Sequence, residues 1–223
     1  MSALKVLTLL APTLLVHSSE DEIPGLRKLG QTKSMLATKL NIPEADAKNL
    51  LRGYGCFCYV QGSTSAGPAF KYHGEAVDPL DQLCKDLYKA EKCIGIDSLD
   101  GNYRKGCFVD QSTKFSNIVN PDGTVSVICN DDQNQCKEDM CNIENDFSSK
   151  VAELFNTGYQ TNNSFKIAWQ DEAGYKSLCP APERDDNGGM VAMSCCGKGL
   201  DRAIYNPLLS ECCNEEISSL GSC

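Results

Sequence analysis

The sequence predicts a mainly α-helical, disulfide-rich fold with two long helices, a β-hairpin and a small cysteine-rich module at its C-terminal end. Three observations lead to this prediction. Two stretches carry apolar residues at helical spacing, two β-prone stretches flank the turn sequence NPDG, and fourteen cysteines are distributed through 223 residues. The even number of cysteines allows every thiol to form a disulfide.

Residues 1–18 have the layout of a secretory signal peptide. Lys5 supplies a positive charge, the apolar run VLTLLAPTLLV follows, and small residues precede a cleavage point that we place after Ser18. A secreted chain matures where thiols are oxidised, so we expect disulfides. Zinc is the competing use of cysteines, but the chain has no C-x-x-C pair and, beyond the signal peptide, only one histidine, His73.

The charge of the chain excludes one class of partner. Removal of Lys5 with the signal peptide leaves twenty basic against thirty acidic residues, a net charge of −10. Phosphate backbones and anionic lipid head groups repel such a surface. We therefore predict no nucleic-acid partner, whereas cations, basic partners and zwitterionic surfaces remain open.

The first half of the mature chain contains one irregular stretch and one short helix. Residues 19–40 are polar and include two glycines, which favours a loose lead-in with at most a short helix. The following stretch NIPEADAKNLLRG predicts a helix that Asn41 caps, with Pro43 near its first turn and Gly53 at its end. Three glycines and one proline then make residues 62–77 irregular.

The first long helix has the clearest start signal in the chain. Asp78 can cap it, Pro79 suits its first position, and Asp81 adds negative charge in the first turn, where the helix dipole favours it. Its apolar face is formed by residues three and four positions apart: Leu80, Leu83, Cys84, Leu87 and Tyr88.

A hairpin and the second long helix follow. KFSNIV and TVSVIC flank the turn NPDG, which predicts two antiparallel strands. A helix is then predicted over residues 134–156, with Gly158 ending it. Its apolar stripe comprises Cys136, Met140, Ile143, Phe147, Val151, Leu154 and Phe155.

The composition changes near residue 160. Residues 179–223 hold six cysteines, mostly as doublets, and too few apolar residues to fold by burial alone. We therefore predict that residues 159–223 form a cysteine-rich C-terminal module. The sequence NNS at Asn162 is an acceptor for N-glycosylation, in a polar stretch where a glycan fits.

Residues 54–155 resemble the secretory phospholipase A2 family. The resemblance rests on YGCFC at Tyr54–Cys58, the long helix that begins near Cys84, the hairpin that ends in VIC, and Cys129, Cys136 and Cys141 at the family's spacing on the second helix. It implies a phospholipase A2-like fold over residues 19–158, in which the two long helices run antiparallel and the hairpin forms a β-wing.

The catalytic residues of that family are replaced in this sequence. Leu87 stands where the family has the histidine that activates water, and Tyr88 stands where it has the calcium-binding aspartate. Leucine cannot accept a proton, and tyrosine does not offer the carboxylate oxygens that calcium prefers. The aspartate that steadies the histidine corresponds to Glu144. Asp86 lies about one hundred degrees around the helix from this position.

The calcium loop is altered as well. The resemblance assigns its carbonyl ligands to Phe57, Tyr59 and Gln61, where glycine is missing at the last two positions. We therefore expect no catalytic residue and no bound metal, with calcium required only if the chain is a divergent phospholipase. If the protein is non-catalytic, His73 is a solvated loop residue; if the protein is a divergent phospholipase, His73 is a relocated base.

The resemblance also implies disulfide pairings. It pairs Cys58 with Cys84 and Cys129 with Cys141, and directs Cys136 to Cys93 or Cys107. One bridge of the family is absent at both ends, where Ala90 and Ile143 stand, as if a packed apolar contact had replaced it.

The C-terminal tail resembles the di-cysteine repeat of galaxin-like extracellular matrix proteins. Tyr205 lies between two cysteine doublets, and adjacent cysteines do not readily bridge each other, so each doublet is expected to join two different partners. The tail is either a cross-linked matrix module or a stabilising cap on the main domain. The doublets are Cys195–Cys196 and Cys212–Cys213.

Together these observations predict a secreted, non-catalytic, phospholipase A2-like extracellular protein with a binding or structural role. Its partner would be a lipid or a protein at the groove between the long helices, or other copies in a disulfide-linked or matrix assembly. The alternatives are a divergent calcium-dependent phospholipase A2 that hydrolyses phospholipid esters, and a soluble signal such as a pheromone or toxin subunit.

Overall fold

The computed structural model describes residues 30–59, 74–97, 114–121, 124–130, 135–167, 171–180 and 193–223. About half of these residues are helical, the strands form small two-stranded sheets, and disulfides join distant segments, which confirms a disulfide-rich fold with a large helical part. None of the described helices is both long enough and apolar enough to cross a membrane. The predicted signal peptide, Gln61, His73 and Cys107 lie outside the described residues.

Five α-helices are present in the described residues. They are α1 (Gly30–Leu40), α2 (Glu44–Leu51), α3 (Pro79–Asp97), α4 (Gln135–Asn156) and α5 (Glu172–Leu178). Short 3-10 helices cover Asn163–Phe165 and Gly199–Asp201.

Eight strands of the described residues pair into four antiparallel two-stranded sheets. The pairs are β1 (Arg52–Tyr54) with β2 (Cys58–Tyr59), β3 (Phe115–Val119) with β4 (Val125–Cys129), β5 (Ser194–Cys196) with β6 (Ala203–Tyr205), and β7 (Ser210–Cys213) with β8 (Glu216–Ser219).

The two long helices begin and end close to the predicted residues. Asp78 Oδ1 accepts a hydrogen bond from Asp81 N at 2.9 Å, so the predicted cap holds the first turn of α3. After α4, Gly158 adopts a positive φ of 86°. The two long helices pack against each other, α4 also packs against α1, and the apolar stripes of α3 and α4 supply most of the main core.

The prediction for residues 19–40 is wrong in its described part. Gly30 begins the eleven-residue helix α1 instead of interrupting one, and Met35 and Leu36 are fully buried. Packing of α1 on α4 and α2 supplies burial that local propensity does not show.

The start and end of α2 also differ from the prediction. Pro43, not Asn41, is the N-cap residue, and Asn41 adopts a left-handed φ of 53° in the preceding turn. The helix stops at Leu51 because the chain enters β1, where the backbone of Gly53 exchanges hydrogen bonds with residues downstream; Ile167 N donates to Gly53 O at 2.8 Å.

The predicted hairpin forms from β3 and β4 and packs on the helices through β4. Phe115 pairs with Cys129 and Val119 with Val125, in continuous register. Asn145 Nδ2 on α4 donates to Val127 O at 3.2 Å, and Val127 is buried beside Met35 and Cys141. Strand β3 is therefore the outer strand of this sheet.

Disulfides connect parts of the chain that are distant in sequence. Both pairings implied by the resemblance, Cys58–Cys84 and Cys129–Cys141, are present. The expected Cys93–Cys136 alternative is wrong, because Cys93 pairs with Cys195, 102 residues away. Cys136 is also in a disulfide. The other bridges described are Cys56–Cys179, Cys196–Cys212 and Cys213–Cys223.

Residues 193–223, which we call the C-terminal hairpins, dock on the two long helices. The 3-10 helix Gly199–Asp201 contacts both α3 and α4, and its Leu200 is buried in the main core. Lys150 Nζ lies 2.9 Å from Asp201 Oδ1, and Arg202 forms an ion pair with Asp97. As predicted, each cysteine doublet joins two different partners.

Candidate functional site

Leu87 and Tyr88, which the resemblance places at the catalytic pair, lie in packed surroundings on α3. Leu87 is 4% exposed and belongs to the main core. Tyr88 is half-buried, with its ring centroid 6.2 Å from that of Phe57, and Lys92 Nζ lies 4.6 Å from the centroid of the Tyr88 ring. These positions therefore contribute apolar and cation–π contacts.

The helix that faces α3 adds to this packing. Glu144 is buried on α4, and Ser148 Oγ donates to its backbone oxygen at 2.8 Å. Ala90 and Ile143, where the resemblance implies a lost bridge, are both buried in the main core. The replacement of a disulfide by apolar packing stays a prediction.

The most organised polar group near these positions is one that the sequence analysis interpreted differently. Asp81 was expected to complement the dipole of α3, but its side chain is fully buried and its carboxylate accepts four backbone hydrogen bonds. Oδ2 accepts from Cys56 N at 2.8 Å and Val77 N at 3.1 Å, and Oδ1 accepts from Phe57 N at 2.7 Å and Cys58 N at 3.3 Å. The Y-G-C-F-C loop is therefore folded around this carboxylate.

The glycine of that motif is required by the same arrangement. Gly55 has a positive φ of 58°, which residues with a Cβ rarely adopt. A Cβ at this position would overlap the Asp81 carboxylate, lying 2.6 Å from Oδ2. Gly55 and Asp81 therefore form a matched pair, in which the glycine leaves room for the buried carboxylate, and no local sequence pattern indicates this contact.

Two disulfides and a tyrosine fix the loop from its other sides. Cys56–Cys179 ties it to the end of α5, and Cys58–Cys84 ties it to α3. Tyr175 on α5 is fully buried and its hydroxyl donates to Cys56 O at 3.0 Å. Both the N–H and the C=O of Cys56 are thus bonded within the protein.

A second polar cluster lies beside the loop at the start of α3. The Tyr54 and Tyr159 hydroxyls both donate to Asp78 Oδ2, the latter at 2.6 Å, and the two hydroxyl oxygens are 3.0 Å apart. Asn162 N donates to the Tyr54 hydroxyl at 3.2 Å. This cluster joins the loop, α3 and the segment after α4. We call the loop Tyr54–Cys58 together with Asp78, Asp81 and Tyr159 the α3 hub.

Burial changes the acid–base properties of the hub. Burial raises the pKa of the Asp81 carboxyl, and the hydrogen bonds that it accepts from four backbone N–H groups oppose that shift. Burial, followed by donation to Asp78, raises the pKa of the Tyr54 hydroxyl. The pKa of Tyr159 is raised for the same reasons. Both tyrosines therefore stay protonated at neutral pH and act as donors.

The remaining predicted site residues are distributed around the hub. Phe57 is buried, with Lys85 Nζ 5.2 Å from the centroid of its ring, and Tyr59 ends β2. Asp86 accepts from Gln82 Nε2 at 2.8 Å at the surface of α3, and burial raises the pKa of its carboxyl. Asn162 is exposed, and its Oδ1 accepts from Ser164 N at 3.0 Å, in a turn accessible to a glycan.

What this arrangement can do chemically follows from its donors and acceptors. The hydrogen bonds described for the Asp81 and Asp78 carboxylates are internal ones, and the hub tyrosines are donors at neutral pH. No known protein family matches this chain, and no curated protein matches it.

Proposed function

We propose that this chain is a secreted, non-catalytic protein with a phospholipase A2-like domain, which acts outside the cell as a binding or structural component. The observation that supports this proposal best is the packing of the would-be catalytic position. Leu87 is 4% exposed within an apolar core. Leucine cannot act as a base, and neither a water molecule nor an ester bond can reach this position.

The organisation of the adjacent loop supports the same proposal. A calcium loop must direct carbonyl oxygens and a carboxylate toward an ion. In this chain Cys56, Phe57 and Cys58 direct their N–H groups toward Asp81, and Tyr88 supplies no carboxylate. The Asp81 carboxylate therefore holds the loop in place through hydrogen bonds within the protein.

The disulfides favour a stable extracellular scaffold over a disulfide-linked matrix. Every cysteine within the described residues is in a disulfide, and six of these bridges join cysteines of the same chain. Extensive disulfides are consistent with a secreted or extracellular location. The side of α3 and α4 that holds Leu200 is already covered by the C-terminal hairpins, so a lipid or protein partner at the helix pair would contact another part of its surface.

A hydrolysis assay on phosphatidylcholine micelles tests the proposal. We expect the purified, disulfide-intact protein to release fatty acid at the background rate, both with millimolar calcium and with a chelator. Calcium-stimulated release at enzyme-like rates would instead identify a divergent phospholipase. In that case His73→Ala should abolish the release if a relocated histidine is the base, while Asp86→Ala, on the same protein, serves as the matched control.

A further inference from the structure

We propose that the outer edge of strand β3 is a self-association surface, through which two copies of this chain pair antiparallel to form a four-stranded sheet. The inference depends only on the geometry of the hairpin, and it holds whether or not the protein is catalytic.

The backbone of β3 leaves a row of hydrogen-bonding groups directed outward. Asn130 N donates to Lys114 O, and Asn120 N donates to Thr124 O, so even-numbered residues of β3 exchange their hydrogen bonds with β4. The N–H and C=O groups of Phe115, Asn117 and Val119 therefore point away from β4. No backbone hydrogen bond to these three residues is present in the described part of the chain.

Within the described residues, strand β3 itself carries none of the side chains or bulges by which proteins usually protect an edge from pairing. Natural edge strands carry lysines, prolines, bulges or a covering segment. Strand β3 is FSNIV, it pairs with β4 in continuous register, and its residues from Ser116 to Val119 are exposed. An unprotected edge of this kind is expected where pairing is used.

A second copy of the chain fits this edge by symmetry. In an antiparallel pair centred on Asn117, the outward groups of Phe115 face those of Val119 in the other copy, and the two Asn117 backbones face each other. All three outward N–H groups and all three outward C=O groups of each copy would then be paired. A single two-fold operation closes the assembly as a dimer.

The side chains along the edge are also self-complementary. Ile118 is 46% exposed and Ile128 is 49% exposed, and the register places them as diagonal neighbours on the outward face of the hairpin. Pairing of two β3 strands would bring the four isoleucines together on one face of the sheet as diagonal neighbours. On the opposite face, Val119, which is 72% exposed, would lie across from the partly buried Phe115 of the other copy.

Charge favours this location over the rest of the surface. The whole chain carries a net charge of −9, which makes two copies repel each other. Strands β3 and β4 carry no charged side chain, and the charged residues nearest to them in the sequence are Lys114, Asp122, Asp131 and Asp132. In the antiparallel pair the two Lys114 residues lie about 20 Å apart, beyond the screening length of physiological salt.

Sedimentation of the full mature chain with its disulfides intact tests the proposal. Between about 1 μM and about 1 mM protein we expect a reversible monomer–dimer equilibrium. The dimer should strengthen when salt is raised from about 0.05 M to about 0.5 M, because repulsion between the acidic chains is screened. A chain that stays monomeric throughout, or that forms open-ended polymers, overturns the proposal.

Two variants and a matched control test whether the edge of β3 forms the dimer interface. Val119→Pro removes one outward N–H and is tolerated on an edge, so it should weaken the dimer at least about tenfold while circular dichroism stays unchanged. Ile118→Lys should weaken it by a similar factor through charge on the edge. Leu209→Lys makes the same change at a residue that is 71% exposed in the C-terminal hairpins and should leave the dimer intact. Loss of the dimer in Leu209→Lys alone would contradict the proposal.

Discussion

The α3 hub and the C-terminal hairpins are stabilised in opposite ways. In the hub, Tyr54 and Asp81 are fully buried, and the Asp81 carboxylate accepts hydrogen bonds from the loop around it. In the C-terminal hairpins, residues 193–223, only Cys196 and Leu200 are buried, and three disulfides hold the strands.

The difference shows which residues each region depends on. Buried polar groups contribute only while every partner is present, because an unsatisfied buried donor loses its hydration without compensation. Disulfides act largely by restricting the unfolded chain and do not need the surrounding side chains to be apolar. Small changes to single side chains should therefore matter in the hub, whereas in the C-terminal hairpins the cysteines and the buried Leu200 should matter most.

The largest effect is expected from Asp81→Asn. The amide keeps one acceptor oxygen but turns an NH₂ group toward two backbone N–H donors, which we expect to lower the free energy of unfolding by about 4 kcal/mol. Guanidinium denaturation with disulfides intact measures this free energy of unfolding. The control Asp86→Asn changes a carboxylate near the surface of the same helix and should cost less than about 1 kcal/mol. Equal losses in the two variants would show that the Asp81 hydrogen bonds are not the source of the stability.

Gly55→Ala is expected to have the next largest effect. The added Cβ combines an unfavourable φ with overlap of the Asp81 carboxylate, so we expect a loss of about 3 kcal/mol. Gly158→Ala is the matched control, because Gly158 also has a positive φ but a Cβ added there would meet no atom within 4 Å. It should cost about 1 kcal/mol, which isolates the backbone contribution. If both variants lose the same stability, the close approach to Asp81 is not a constraint.

Removal of a disulfide from the C-terminal hairpins should have a smaller and local effect. The Cys213–Cys223 bridge closes a separation of 10 residues, and the double variant Cys213→Ser/Cys223→Ser should lose about 2 kcal/mol from the β7–β8 region. Amide hydrogen exchange should quicken in Ser210–Ser219 and stay unchanged in α3 and α4. The double variant Cys56→Ser/Cys179→Ser, which opens a separation of 123 residues, should instead speed exchange across the core. Faster exchange in α3 after loss of Cys213–Cys223 would contradict this division.

The smallest effect concerns the hub tyrosines at high pH. Because the folded pKa of Tyr54 is raised above its unfolded value, its contribution is complete below about pH 10 and is lost as the pH rises toward the folded pKa. Tyr159→Phe removes one donor to Asp78 and should cost about 1 kcal/mol at neutral pH while reducing the alkaline loss. Ultraviolet titration of the eight tyrosines checks this, since Tyr54 and Tyr159 should be among those that resist ionisation until the protein unfolds. Free titration of all eight near pH 10 in the folded protein would exclude the proposed cluster.

Local signals predicted the parts of the fold that local interactions determine. The Asp78–Pro79 start placed α3 correctly, and NPDG between two β-prone stretches placed the hairpin. Helix α1 escaped prediction because its burial comes from α4 and α2, which the local sequence does not contain.

The hub and the long-range disulfides depend on contacts that one sequence does not contain. The position of Asp81 in the first turn of a helix suggested a dipole interaction, and only the folded loop shows the four donors around it. Cys93 lies 102 residues from its partner, so its spacing carried no information on the pairing. The proposed boundary near residue 160 stays a prediction, although Tyr175 and Leu200 beyond it share the main core.

The response of thermal stability to calcium tests most directly whether Asp81, and not a metal ion, organises the loop. The disulfide-intact protein should unfold at the same temperature in millimolar calcium and in excess chelator, because an internal carboxylate already holds the loop and Tyr88 offers calcium no carboxylate ligand. A ligand that binds only the folded state raises this temperature in proportion to its occupancy. A calcium-dependent rise of several degrees, with hydrolysis of phospholipid under the same conditions, would contradict the account.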